Sequence, residues 1–176
     1  MGLLDTLISQ ILDEPDAWET RPHHPVNNVP DTLLLPPGTP VFCDLIFGAA
    51  EHTGIWVGDS IVHLDGAGVI IRTSPDKFLA RLDGMNPAVD IFYPATGPSR
   101  PLACPKAAQR ALRQVDSPHH YHLLFDNCHG FTIECLTDAK LPGTVGLRTV
   151  EMAISYVCKA QRWHWRRWRW QQAQLR

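Results

Sequence analysis

Nowhere in the 176 residues does an apolar run approach the roughly 18 positions of a membrane-spanning helix, so no such span is expected. The chain also has no C-x-x-C pair. Its five cysteines, Cys43, Cys104, Cys128, Cys135 and Cys158, are odd in number and irregularly spaced. This argues against a disulfide framework and for a reducing compartment. Neither sign of charge dominates: the net charge of −2 gives the whole molecule no strong attraction to nucleic acid. The N-terminus carries Asp5 and no cationic stretch, so a secretory leader is not expected. Met1-Gly2-Leu3-Leu4-Asp5-Thr6 fits the loose myristoylation pattern, but the same residues open an amphipathic helix, which is the preferred reading. A cytoplasmic or peripheral-membrane location is expected, with delivery outside the cell left open.

What is present is an ordinary globular composition, 44% hydrophobic, in a length that suits one folded domain. Leu3, Leu4, Leu7, Ile8, Ile11 and Leu12 recur at helical spacing, and Pro15 ends the pattern. Residues 19–40 are rich in proline and polar side chains and predict an extended connector. Short β-rich runs follow at 41–47, 52–57, 60–64 and 68–72. Gly58-Asp59 marks a tight hairpin between the second and third. A short helix is expected over 76–82, another strand over 89–93, and helices over 106–115 and 123–137. The fold class is therefore α+β, with a small antiparallel sheet packed against helices.

The last acidic residue is Glu151, and Lys159, Arg162, Arg166, Arg167, Arg169 and Arg176 follow it. Read as one long C-terminal helix from Thr149 to about Gln172, this stretch places Val150, Ile154, Val157, Trp165 and Trp168 on one side. Lys159, Trp163, Arg166, Arg167 and Trp170 fall on the other. The first stripe should pack on the body. The second is a cationic face with two tryptophans, suited to a lipid or membrane surface or to self-association. The expected organisation is thus a catalytic domain over 1–148, with its N-terminal helix and connector, and a Trp/Arg-rich helix over 149–176.

Two segments carry chemistry. The first runs Glu51-His52-Thr53-Gly54-Ile55-Trp56-Val57-Gly58-Asp59-Ser60-Ile61-Val62-His63-Leu64. The second runs Tyr121-His122-Leu123-Leu124-Phe125-Asp126-Asn127-Cys128-His129-Gly130-Phe131. A thiol is a useful nucleophile as thiolate, and its pKa falls beside an imidazole or at a helix N-terminus. Cys128 follows Asp126-Asn127, two cap-forming residues, where a helix can begin. His52 opens a strand, a rigid support for a base, and His63 lies across the hairpin where it can orient His52. The bland readings are a buried apolar thiol for Cys128 and an outward strand histidine for His63, with Asp65 or Asp44 as its substitute. Asn127 is an oxyanion candidate or a plain helix cap. His119, His120, His122 and His129 match no familiar zinc spacing, and neither metal nor cofactor is expected.

His-x-Gly-Ile-Trp-Val-Gly-Asp-x-x-Val-His-Leu resembles the first motif of the lecithin:retinol acyltransferase-like family, which includes the small phospholipase/acyltransferases of the H-Ras-like suppressor group. Asn127-Cys128-x-x-Phe131, preceded by Tyr121-x-Leu123, resembles its second motif, and Cys135 sits where that family often has a second cysteine. The resemblance spans roughly residues 35–141. It implies a circularly permuted papain-like fold with Cys128 as nucleophile, His52 as base and His63 as third polar member. It also implies acyl transfer through an acyl-thioester. The family's usual Asn-Cys-Glu-His-Phe is here Asn127-Cys128-His129-Gly130-Phe131, so the acceptor side of the pocket differs. Leu136-Thr137-Asp138-Ala139-Lys140-Leu141-Pro142 instead resembles a stretch of the permuted papain-fold isopeptidases. The cell-wall peptidases of the same superfamily share the Cys–His pair. The favoured expectation is a thiol acyl hydrolase or acyltransferase on lipid esters, phospholipase A-like. The alternative is a cysteine peptidase, isopeptidase or amidase on a peptide-like substrate. A catalytically idle binding module is the reading from a different class.

Overall fold

A computed structural model describes residues 33–45, 50–80, 90–115, 128–141, 143 and 145–170. The N-terminal helix expected over residues 3–12, most of the connector, and Asn127 lie outside them. Within the described residues the chain is α+β, an open antiparallel sheet of seven strands with four helices. The elements are β1 (Thr39–Leu45), β2 (Ala50–Trp56), β3 (Ile61–Leu64), β4 (Ile70–Thr73), α1 (Pro75–Leu79), β5 (Ile91–Gly97), β6 (Arg100–Pro101), α2 (Pro105–Gln114), α3 (Cys128–Thr137), α4 (Leu147–Val157) and β7 (His164–Trp168). The spatial order is β4-β3-β2-β1-β5-β6, and β7 pairs with β5.

The hairpin carrying the first histidine motif forms as its turn chemistry requires. Gly58 adopts φ +111°, in the left-handed region open to glycine. The ladder that follows sets Ile55 opposite Val62 and Trp56 opposite Ile61. Gly54 has a different reason to be small. A Cβ there would meet Ile61 Cγ2 at 2.7 Å and the Val62 carbonyl oxygen at 2.9 Å, so β2 and β3 approach closely because residue 54 has no side chain.

Both faces of the sheet are covered. On one, Ile55, Val62 and Phe92 pack with Phe131 and Ile133 of α3 and Val150 and Ile154 of α4. On the other, Val41, Trp56, Ile61 and Ile91 pack with Phe78 of α1. Successive strand residues face opposite ways, so Thr53 and Ile55 of β2 look toward α3, while His52 and Trp56 look toward α1.

The C-terminal stretch departs from expectation. The helix ends at Val157. Lys159 takes φ +52°, the Lys159 N–H bonds the Tyr156 carbonyl at 3.3 Å, and the Ala160 N–H bonds the Ser155 carbonyl at 3.0 Å. That is a Schellman stop with lysine where glycine is usual, so no glycine announced it. The chain then returns as β7, antiparallel to β5, with Tyr93 opposite Arg166 and Pro94 opposite Trp165. Trp163-x-Trp165 and Trp168-x-Trp170 are period-two patterns on opposite faces of this strand. Trp163 and Trp165 enter the core beneath α4, and Trp168 and Trp170 the core beside α1.

The cationic, Trp-bearing face expected of a long helix is therefore not formed. Trp163, Trp170 and Arg166 are buried, and Arg167 is half-buried, 3.0 Å from the Asp90 carboxylate. The physical reason is that each indole finds both an apolar bed and a hydrogen-bond acceptor. Trp163 donates to Ser155 Oγ at 2.9 Å, Trp165 to Glu151 Oε1 at 2.7 Å, Trp168 to the Leu33 carbonyl and Trp170 to Asp76 Oδ1, the last two at 3.3 Å. No described helix is long and apolar enough to cross a membrane.

Candidate active site

Cys128 is the first residue of α3, a ten-residue helix whose interior is apolar enough to bury Phe131, Ile133, Cys135 and Leu136. The thiol stands on the first described turn of α3, where the positive end of a helix dipole favours a thiolate. The half-buried Sγ donates to the carbonyl oxygen of Glu51 across 3.9 Å, a weak contact but a clear placement. Glu51 immediately precedes His52, so peptide geometry puts Sγ within roughly 7 Å of the His52 Cα. The thiol thus lies against the end of β2 that carries His52.

His52 itself is buried, with its ring 5.0 Å from Phe78. Its Nε2 lies 3.1 Å from Nδ1 of His63, and Nε2 of His63 lies 3.0 Å from the hydroxyl of Thr73. The three side chains come from β2, β3 and β4, three adjacent antiparallel strands, and form a hydrogen-bonded chain across one face of the sheet. Phe78 flanks both rings, 5.2 Å from that of His63, and shields the chain. His63 therefore holds the place expected of the third member. The substitute Asp65 is occupied elsewhere, its Oδ1 accepting from the backbone N–H groups of Ala67 and Val69 in the next turn.

Two features escaped the sequence reading. Thr73 ends the histidine chain, and only the register of the β3–β4 hairpin, with Ile61 opposite Thr73, brings it there. His129 is the other. It is buried beside Cys128, and its Nδ1 lies 3.1 Å from Oγ1 of Thr53, which in turn accepts from Thr132 Oγ1 at 3.0 Å. Burial pushes His129 down to about 4, so its imidazole is neutral near pH 7. His-x-Gly in one motif and Cys-His in the other gave no hint that Thr53 and His129 would touch.

The other cysteines contrast with Cys128. Cys135 lies in the core and burial drives its thiol far upward; Cys158 is pushed up to about 11 by burial and, secondarily, by Cys104. Neither is suited to act as a thiolate at neutral pH. Among the described residues no three His, Cys, Asp or Glu side chains gather into a metal-binding group. Compared with known proteins, the chain matches no family model, no curated protein and no solved structure. The case for the site accordingly rests on its own geometry and chemistry.

Proposed function

We propose that the protein is a cysteine-nucleophile acyl hydrolase or acyltransferase acting on lipid esters, with Cys128 as nucleophile, His52 as base and His63 and Thr73 orienting the base. The observation that carries this is the meeting of a helix-N-terminal thiol with the strand end that bears the hydrogen-bonded His52–His63–Thr73 chain. With Nε2 of His52 engaged by His63, proton exchange with the thiol runs through Nδ1. A neutral His52 that accepts there carries its own hydrogen on Nε2 and donates it to Nδ1 of His63. His63 is then protonated on Nε2 and donates to Thr73. The chain holds one tautomer of the base throughout the reaction.

The thiol proton passes to Nδ1 and the thiolate adds to the ester carbonyl carbon. The oxyanion lies against backbone N–H groups at the start of α3. Collapse expels the alcohol, which takes the proton from Nδ1 of His52, and leaves an acyl-thioester on Cys128. Water or an acceptor alcohol or amine then attacks the thioester, giving its proton to His52, and the thiolate is restored. The antiparallel sheet backed by a Cys-bearing helix, with the histidine strands first in sequence, is the arrangement a circularly permuted papain-like fold would have. The ester substrate follows from the resemblance of the two motifs to the lecithin:retinol acyltransferase-like family. Trp163, Arg166 and Trp170 are buried in the fold, so they are not the side chains that would meet a lipid surface.

The test is intact-protein mass spectrometry after incubation with short-chain phosphatidylcholine micelles, wild type beside Cys128→Ala. An acyl-sized adduct and released fatty acid with the wild type alone support the reading. Turnover of peptide p-nitroanilides with no acyl adduct would move the substrate to an amide, and equal activity of both proteins would remove Cys128 from the mechanism.

A further inference from the structure

Between β2 and α3 lies a polar cluster in an otherwise apolar interface. Thr53, Thr132 and His129 are all buried, with exposures of 1%, 0% and 6%. Thr132 donates to Thr53 Oγ1 at 3.0 Å, and the same oxygen is hydrogen-bonded to Nδ1 of His129, 3.1 Å away. A buried polar group is retained in a core only where its bonds are made, so each of these bonds fixes a geometry as well as satisfying an atom. The geometry fixed here is specific. Thr53 follows His52 on the strand, His129 follows Cys128 on the helix, and Thr132 stands one turn further along α3.

We infer that Thr53, His129 and Thr132 form a positioning clamp that sets the first turn of α3, and with it the Cys128 thiol, against the strand end that carries His52. The inference rests on reading Cys128 as the nucleophile and adds which residues place it. Thr53 faces α3 while His52, one position earlier, faces α1, so the bond from Thr53 to His129 ties the two sides of β2 to one register. Among the described residues, the titratable groups about the thiol are Glu51 and His52 on β2, His63 behind them on β3, and His129 on α3. His129 stays uncharged at neutral pH because of its burial, so it acts on the thiol through position rather than through a cation. None of the three clamp residues touches the reacting atoms in this scheme.

The experiment is the pH profile of iodoacetamide alkylation at Cys128 in the full chain, read by peptide mapping, with circular dichroism to confirm folding. Thr53→Val removes the hydroxyl at nearly constant volume. It is expected to slow Cys128 labelling about tenfold at pH 7 and to raise the midpoint of the profile by roughly one unit, because the thiolate loses its place beside His52. Thr53→Ser, which keeps the hydroxyl, should restore the wild-type profile, and Thr132→Val should give a smaller shift in the same direction. A folded Thr53→Val protein with an unchanged profile, or a Thr53→Ser protein as impaired as the valine variant, would overturn the clamp. If Thr53→Val does not fold, an unchanged profile in Thr132→Val does the same. A wild-type Cys128 that labels no faster than Cys104 would instead overturn the nucleophile beneath it.

Discussion

The β2–β3 hairpin and the C-terminal stretch offered equally suggestive residues, histidines in one and tryptophans with arginines in the other. Folding treats them oppositely. In the hairpin, His52 and His63 use their ring nitrogens on each other and on Thr73, so the polar atoms make a directional chain on the strand whose Glu51 carbonyl meets the Cys128 thiol. In the C-terminal stretch, each of four indoles spends its N–H on a structural acceptor and its ring on a core, and Arg167 meets Asp90. Unusual residue types make a candidate site when their polar groups are spent on one another beside a thiol. They mark architecture when each is satisfied separately by the scaffold.

The sharpest way to break this contrast is at the thiol. Cys128→Ala should lower acyl-ester turnover by at least about 10⁴-fold while leaving the thermal midpoint nearly unchanged, since removing a nucleophile forfeits the whole covalent route. Trp165→Ala should act in the reverse sense. The ring is buried against Phe42 and anchored to Glu151, so its loss should cost about 3–5 kcal/mol in urea unfolding. A tail that merely lay on the surface would show almost no change. His63→Ala should reduce kcat/KM about 100-fold by releasing the base from its tautomer, with Thr73→Val following at a smaller loss.

A pH titration of stability sharpens the contrast further. His129 folds with its pKa lowered from 6.5 to about 4, so the unfolded chain binds the proton more readily than the folded one. The contribution is fully present above about pH 6.5 and is lost as pH falls toward 4, at up to about 1.4 kcal/mol per pH unit. His129→Asn should flatten that slope in urea melts at pH 7, 6 and 5. The smallest effect is expected from Arg167→Ala. Its ion pair with Asp90 is partly solvated, so the loss should be about 1 kcal/mol or less, and sedimentation with anionic vesicles should match wild type.

Much of this was legible beforehand for stated reasons. The Gly58 turn and the alternating runs on either side gave the β2–β3 hairpin. Pro105 at the start of α2 and the cluster of helix formers behind it gave that helix, whose observed bounds are Pro105–Gln114. The pairing of His52 with His63 followed from strand alternation across a tight turn. The C-terminal strand was missed because residues 149–172 satisfy a helical wheel as well as a period-two pattern, and the helix stop carries lysine at its left-handed position. Composition favoured the continuous helix, while tertiary burial of four tryptophans favoured the strand. Thr73 and Thr53 were missed because their roles depend on register between segments far apart in the chain, which no local pattern encodes.

The most direct test of the central claim is competitive alkylation of the native protein with limiting iodoacetamide at pH 6.5, quantified cysteine by cysteine, in wild type and His52→Ala. The account predicts that Cys128 labels well ahead of Cys104 and Cys158 in the wild type and falls back to their rate once His52 is gone. Cys128 labelling no faster than its neighbours, or labelling equally fast without His52, would contradict it.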